Sequence, residues 1–470
     1  MVFVNRTREL TDLANFWDSD RAQCISVVGR RRVGKTYLLE HFAQGKRTVY
    51  YRCQLQSTAQ QLPLLGQALS DISDDPVTRA QPPSVWLAVF ALIERLTQRG
   101  RLLLVLDEIP YWVARDESVP SVMQNWWDER GRHLDVMLVF CGSAVQMMER
   151  LLTGDAPLAG CLTGRLSVRP FDFRAAASLL GITDPIEALT SYGVLGGVPL
   201  YLNFFRANQN VHQNILRAIA SSSARLYVEP SAVFAASHTS YIPDQALGVL
   251  RAIARGKHQW SDLIETTRLS TSQLPRIMGP LIGDLGLVER ILPVTERRDS
   301  RAYRTQYHLT DNFFRFWFRF IEPNQGQIEF GDAKHVVDGI VASLSDYMGL
   351  PFEAMCREWV RLASAAGVLA ERVGPVGSWW SPNDEVDVVG LDVHRHVALT
   401  GECKWRNEGF TWDDLQTYLG HVHALAQATT ILPTAYHLLF SKAGFDVRVQ
   451  AWAAGTRARL LEPHDLLASF

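Results

Sequence analysis

The chain has 470 residues, too many for one hydrophobic core, so about two to four domains are expected. A hydrophobic content of 47% beside 20% charged residues describes an ordinary soluble globular protein. Lysine plus arginine (47) nearly cancel aspartate plus glutamate (49), which excludes an overall basic field, so any nucleic-acid surface must be local.

The first chemical stretch is Gly29-Arg30-Arg31-Arg32-Val33-Gly34-Lys35-Thr36. An apolar run, Cys24-Ile25-Ser26-Val27-Val28, precedes it, and Tyr37-Leu38-Leu39-Glu40-His41-Phe42 follows with apolar residues at helical spacing. That is strand, glycine loop and helix in the GxxxxGK[ST] pattern, with a purely structural turn as the alternative. Glycines let successive N–H groups point inward at phosphate oxygens, and the positive end of the following helix adds to that field. Lys35 would neutralise the β- and γ-phosphates, and the Thr36 hydroxyl would sit on Mg2+. The expected triphosphate contacts are Gly29, Arg32, Val33, Gly34, Lys35, Thr36 and Tyr37. Arg30, Arg31 and Arg32 either add positive charge there or are solvated and paired elsewhere.

Further on, Leu102-Leu103-Leu104-Val105-Leu106-Asp107-Glu108 reads as a fully buried parallel strand ending in two carboxylates. Phosphate and metal would lie beyond that end. Asp107 is the expected outer ligand of Mg2+, and Glu108 the general base that polarises the attacking water. Another buried strand, Val136-Met137-Leu138-Val139-Phe140-Cys141-Gly142, ends at Ser143. Ser143 is either a sensor of the γ-phosphate or an ordinary strand-ending serine.

These stretches, with Leu162-Thr163-Gly164-Arg165-Leu166 and Leu195-Gly196-Gly197-Val198-Pro199-Leu200-Tyr201-Leu202, resemble archaeal-type ATPases of the STAND branch of the AAA+ class. The second of these is similar to the GGxPxYL signature of their helical lid. The resemblance implies ATP as the nucleotide, a doubly wound P-loop core, a homo-oligomer, and Arg165 as an arginine finger reaching a neighbour's nucleotide. The bland alternative for Arg165 is a loop arginine paired with an acidic neighbour. In related families an xGRexEL segment packs beside the adenine. Phe3-Val4-Asn5-Arg6-Thr7-Arg8-Glu9-Leu10 stands at that place, with Asn5 where glycine is usual, and also reads as a plain helix start.

Residues 244–309 read as three helices and a hairpin, the outline of a winged helix. Ser261 is the expected cap of the second helix, and the third runs from Ser270 to Gly286, with Pro280 inside it. Phosphate contacts to DNA would come from Arg276 on that helix and from Arg297, Arg298, Arg301 and Arg304 around the hairpin loop. A packing role is the alternative. The aromatic run Asp311-Asn312-Phe313-Phe314-Arg315-Phe316-Trp317-Phe318-Arg319-Phe320-Ile321 covers nearly every face of a helix, which fits burial better than base stacking. It resembles the connector of the same ATPases.

In the last region, Asp387 lies in one strand and Glu402-x-Lys404 in the next. Positions 402 and 404 of a strand face one side, so carboxylate and ammonium converge. Asp387 completes a cluster able to hold Mg2+ against a scissile phosphate, with Lys404 positioning the water. This is similar to the PD-(D/E)xK phosphodiesterase core, and the resemblance implies a further helix glutamate, Glu353 or its rival Glu358. A structural or inactive version is the alternative.

The six cysteines (24, 53, 141, 161, 356, 403) form no CxxC pair and read as reduced and cytosolic. No run of about 18 apolar residues marks a membrane span, and residues 1–6 carry no long apolar signal, so a cytoplasmic protein is expected. The expected fold is α/β: a P-loop core (1–175), a helical lid (176–230), a winged helix with aromatic connector (231–325), and a restriction-endonuclease-like α/β domain (326–470). The expected function is ATP binding and hydrolysis coupled to DNA binding and Mg2+-dependent cleavage. The alternatives are a nucleotide-gated DNA-binding switch or scaffold with an inactive nuclease domain, or a transcription regulator.

Overall fold

The structure is a computed structural model, which describes residues 4–73, 75–143, 145–154, 156–235, 244–283, 285–297 and 304–470. The chain divides into two compact units, Met1–Pro170 and Phe171–Phe470.

The first unit is built on five parallel strands: β1 (Gln23–Val28), β2 (Thr48–Arg52), β3 (Leu102–Asp107), β4 (Val136–Gly142) and β5 (Gly164–Ser167), in the order β2-β3-β4-β1-β5. Every residue of β1, β3 and β4 is buried, because each strand is covered on both faces. On one face Ile25, Val27, Leu103, Val105, Met137 and Val139 pack with Leu38, Leu39 and Phe42 of helix Lys35–Ala43. On the other, Leu104, Leu106, Leu138 and Phe140 pack with residues such as Leu65, Phe90 and Trp126 from three further helices. The period of two along a strand therefore sends Asp107, in step with Leu103 and Val105, to the face that carries helix Lys35–Ala43. Strand β4 lies between β1 and β3, so its end stands between the glycine loop and the acidic pair.

The second unit begins with helices that include Phe173–Leu180, Pro185–Leu195 and Val211–Ala218. Three more follow, Asp244–Ala254, Trp260–Thr267 and Leu274–Ile282, and then the antiparallel hairpin β6 (Val288–Ile291) and β7 (Gln306–Leu309). Two local expectations are corrected. The second of these helices starts at Trp260 with Gln259 in extended backbone as its cap, so Ser261 is inside it. The third is shorter than expected: Leu274 is its first residue, and it stops two residues after Pro280. The aromatic connector is helical and buried. Phe313, Phe314, Phe316, Phe318 and Ile321 are all almost wholly inaccessible, and the Trp317 indole donates to the Tyr227 carbonyl at 3.1 Å.

Beyond helix Gly349–Ala365 lies a mixed sheet of β8 (Val376–Trp380), β9 (Glu385–Leu391), β10 (Val397–Lys404), β11 (Ile431–Ser441) and β12 (Ala458–Leu461), in the order β12-β11-β10-β9-β8. Strands β8, β9 and β10 pair antiparallel, while β10, β11 and β12 pair parallel, with helix Trp412–Ala428 crossing from β10 to β11. The free edge of β8 is covered by the loop after β6. Val294 donates its N–H to the Ser378 carbonyl at 2.9 Å and packs on Gly377. No helix among the described residues is long and apolar enough to cross a membrane.

His258 and His308 stack with ring centroids 4.1 Å apart, and burial holds both imidazoles below their ordinary pKa, with Arg315 opposing protonation as well. Below about pH 6.5 the unfolded chain therefore takes up protons that the folded pair refuses, and stability falls as pH falls. Paired melting curves between pH 7.5 and 5.5 should show the stability of the wild type dropping relative to that of His308→Phe as pH falls.

Candidate functional site

The glycine loop leaves the end of β1 and closes on helix Lys35–Ala43. Gly29 has no room for a side chain, since a Cβ there would stand 2.2 Å from the Val168 carbonyl oxygen, and Gly34 caps the helix at φ 93°. Arg6, buried and with positive φ, donates to the Val33 carbonyl at 2.9 Å and so ties the segment before the first helix to the loop. Lys35 is 5% exposed, and its ammonium donates to the Arg30 carbonyl at 3.1 Å. Arg32 holds a left-handed backbone at φ 71°, and Tyr37 is partly exposed on the first turn of the helix.

At the end of β3, Asp107 is 1% exposed. Its Oδ2 accepts the Thr36 hydroxyl at 2.9 Å and the Tyr50 hydroxyl at 2.8 Å, and Arg52 Nε lies 3.7 Å away. Its Oδ1 is buried with no hydrogen-bond partner. Burial first, and then the Asp107 charge, hold the Tyr50 phenol far above its usual range, so it remains a donor. Thr36 spends its proton on Asp107 and keeps its oxygen lone pairs. This donor set, one hydroxyl and one buried carboxylate with an orphaned oxygen, fits Mg2+, which is usually held by one or two carboxylates plus substrate phosphates. Glu108 follows in left-handed backbone at φ 55°, a conformation that costs a bulky residue about 1–3 kcal/mol. Its Oε2 accepts both the N–H and the hydroxyl of Ser143, at 3.1 and 3.0 Å. The expected base and the expected sensor are thus brought together. Arg165 is not with them: it sits mid-strand opposite Ser26 and pairs with Glu149 at 3.0 Å.

The second constellation lies in the sheet of the second unit. The β9–β10 register ends with Gly401 opposite Val388. Just beyond, Asp387 Oδ2 accepts the Cys403 N–H at 2.9 Å, and Lys404 Nζ pairs with Glu402 at 2.7 Å. Glu402 is 7% exposed, and its Oε2 is buried without a hydrogen-bond partner. Burial, and then the Asp387 charge, push the Glu402 carboxyl up to about 8 although Lys404 opposes this. Glu353, on helix Gly349–Ala365, is raised by burial and then by Asp387, so it belongs to this cluster. Its rival Glu358 instead acts electrostatically on Tyr192. Arg357 pairs with Glu353 at 3.4 Å and donates to the Asp387 carbonyl at 2.8 Å. At the rim, His421 from helix Trp412–Ala428 pairs with Asp384 at 3.0 Å. Among the described residues no three His, Cys, Asp or Glu side chains converge as a ready metal cage. Two carboxylates with an unsatisfied oxygen still suit Mg2+, which keeps several waters.

The residues expected at DNA are spread out. Arg276 is exposed on helix Leu274–Ile282, and Arg297 is exposed in the hairpin loop, while Arg298 and Arg301 lie outside the described residues. Arg304 is exposed but engaged: it pairs with Glu296 at 3.0 Å and donates to the Trp380 carbonyl at 3.0 Å. Arg395, in the β9–β10 turn, donates to the carbonyls of Val294 and Glu296. The base of the loop is therefore docked on the C-terminal sheet.

Residues 3–203, which include the whole glycine-loop site, match the family described as an ATPase domain predominantly from Archaea. Over that stretch the chain is similar to archaeal ATPase domains. Residues 317–417 match a family of archaeal and bacterial proteins of unknown function, and this match takes in Glu353, Asp387, Glu402 and Lys404. An uncharacterized protein of Methanocaldococcus jannaschii is 27% identical over 409 residues, 86% of this chain and 88% of its own length. An uncharacterized ATP-binding protein of the same organism is 45% identical over 47 residues, 10% of this chain and 80% of its own length. In structure, a Walker-type ATPase of Pyrococcus abyssi superposes with a TM-score of 0.53 at 17% identity, over 67% of this chain and 96% of that one. That likeness is one of fold.

Sequence reasoning missed Tyr50 and Arg52 in the ATPase domain, and Arg357 and His421 in the second cluster. The signals were there: Tyr50 and Arg52 are two apart on a strand, and Glu353 and Arg357 four apart on a helix. Neither spacing names its partner across the fold. Because the second cluster crowds carboxylates, millimolar Mg2+ should raise Tm in the nucleotide-free protein. Saturation at about 100 Kd is worth about 2.7 kcal/mol, and Asp387→Asn should lose most of that gain in scanning fluorimetry, whereas Asp107→Asn should keep it.

Proposed function

We propose that this chain binds and hydrolyses ATP and uses its nucleotide state to govern a Mg2+-dependent phosphodiesterase site that acts on DNA. The observation that carries the ATPase reading is the Thr36–Asp107 pair, with a buried orphaned carboxylate oxygen beside Lys35 in a glycine loop. Thr36 and Asp107 would hold Mg2+ in the ATPase domain, and Asp387 and Glu402, with Glu353 behind them, would hold it in the second site. Bound in either place, the ion neutralises charge on phosphoryl oxygens as the reaction proceeds.

The chain's own groups do the rest. Loop N–H groups from Gly29 to Tyr37 cradle phosphates, and Lys35 turns from the Arg30 carbonyl to them. Glu108 Oε2 takes a proton from the attacking water after exchanging its Ser143 donors for it. Lys404 Nζ, held by Glu402, orients a water toward the phosphodiester. Arg165, on leaving Glu149, would serve a neighbouring copy, and Arg276 and Arg297, both exposed, would touch DNA phosphates. The regions 1–175, 176–230, 231–325 and 326–470 are read as ATPase core, lid, winged helix with connector, and restriction-endonuclease-like domain.

Lys35→Ala should abolish ATP binding, whereas Glu108→Gln should bind ATP and hydrolyse it about 10²–10⁴-fold more slowly. Purified protein with DNA, Mg2+ and ATP should nick or cut the DNA, and Asp387→Ala and Lys404→Ala should not. Cutting that persists in both variants would remove the phosphodiesterase reading while leaving the ATPase one intact. The absence of a three-carboxylate cage among the described residues favours a second reading, a nucleotide-gated DNA-binding scaffold with an inactive C-terminal site. It is distinguished by ATP-dependent, salt-sensitive DNA binding with no cleavage at any Mg2+ concentration.

A further inference from the structure

Strand β2 belongs to no motif, yet it delivers two side chains to the acidic end of β3. Tyr50 and Arg52 are separated by one residue, so both lie on the face that carries helix Lys35–Ala43, while Tyr51 packs on Trp112 across the sheet. The β2–β3 register sets Tyr50 opposite Val105 and Arg52 opposite Asp107, at the carboxyl end where a triphosphate would lie. Their polar atoms meet one oxygen, Asp107 Oδ2: the Tyr50 hydroxyl at 2.8 Å and Arg52 Nε at 3.7 Å, beside the Thr36 hydroxyl at 2.9 Å. The other oxygen, Oδ1, is buried with no hydrogen-bond partner, although the Cys141 thiol lies against the same carboxylate.

The terminal torsion of an aspartate is broad and roughly two-fold, so an unrestrained carboxylate presents either oxygen. Donors gathered on one oxygen remove that freedom. We propose that Tyr50 and Arg52 are positioning residues that fix Asp107 with Oδ2 turned to the protein and Oδ1 reserved for the Mg2+–nucleotide. Thr36 cannot do this alone, because its hydroxyl is itself part of the metal's donor set. Arg52 adds little to stability, since its side chain is 64% exposed and exposed pairs contribute little. Its place at the carboxylate therefore bears on charge and orientation. The inference rests on the ATP-site reading of the first unit.

The test is binding of a fluorescent ATP analogue to the full chain, in EDTA and across a Mg2+ titration. Tyr50→Phe and Arg52→Gln should bind the metal-free analogue as the wild type does. Each should need more Mg2+ to reach the tight complex, about tenfold more for Tyr50→Phe, which deletes a hydrogen bond to a charged group. Arg52→Gln should keep the wild-type Tm, which separates positioning from a structural role and keeps the test open if Tyr50→Phe folds poorly. Mg2+ dependence in Arg52→Gln and in folded Tyr50→Phe that matches the wild type would overturn the inference alone. A wild type that binds no analogue, or a Lys35→Ala variant that binds it equally well, would remove the ATP-site reading and this inference together.

Discussion

A carboxylate taken out of water costs several kcal/mol unless every lone pair finds a donor or a cation. Among the described residues, Asp107 and Glu402 are such groups, with Oδ1 and Oε2 buried without a hydrogen-bond partner. Both stand at the carboxyl end of a buried strand, and both have a lysine in the same site. The surroundings answer the cost differently. At Asp107, two hydroxyl donors and a guanidinium gather on one oxygen while the other stays without a hydrogen-bond partner. At Glu402 the neighbours are mainly other carboxylates, so burial and Asp387 drive it towards the protonated form. A divalent cation relieves both situations, in the second case with release of a proton. An empty second site thus lowers its cost by holding a proton, and the first by holding its own donors.

Much of this was legible in the sequence, for a definite reason. Strands covered on both faces need unbroken apolar runs, and β1, β3 and β4 have them, so the residues that end them announce themselves. What one-dimensional pattern lacks is the partner. Glu353 and Glu358 share one helix, and their spacing assigns them to different faces without saying which face meets the sheet. Only packing places Glu353 by Asp387 and Glu358 by Tyr192. The same holds for Tyr50 and Arg52, whose common face is implied by period two but whose target depends on the β2–β3 register. The misplaced cap at Ser261 has a smaller cause: Gln259 adopts the extended cap conformation without a capping side chain, so the helix begins a residue before the serine.

The hairpin loop shows how an edge constrains function. Strand β8 would expose a row of unpaired N–H and C=O groups, a template for unwanted pairing. Val294 pairs with that edge, and Arg304 and the Trp380 indole exchange hydrogen bonds across it, Trp380 accepting through its carbonyl and donating at 3.1 Å. Arg395 holds the loop from the far end of β9. Arg304, one of the arginines expected at DNA, is engaged in this contact. Strand β8 pairs with β9, which bears Asp387, so the hairpin loop docks on the sheet that carries the second cluster. The middle region and the C-terminal sheet belong to one compact unit.

The balance of cations in the first unit follows from strand geometry. A triphosphate beyond the sheet would meet what lies past the strand ends: the glycine loop with Lys35, Asp107 and Glu108 after β3, and Ser143 after β4, while Arg52, closing β2, stands against Asp107. Arg165 is displaced from this set, because the β1–β5 register holds it beside Ser26, below the end of β1, and Glu149 neutralises it there. No rotamer change moves a mid-strand residue to the next turn of loop, so its charge is unavailable to its own chain's phosphates. With Arg165 paired to Glu149, a bound metal and the orientation of Asp107 would weigh the more in how tightly a nucleotide is held.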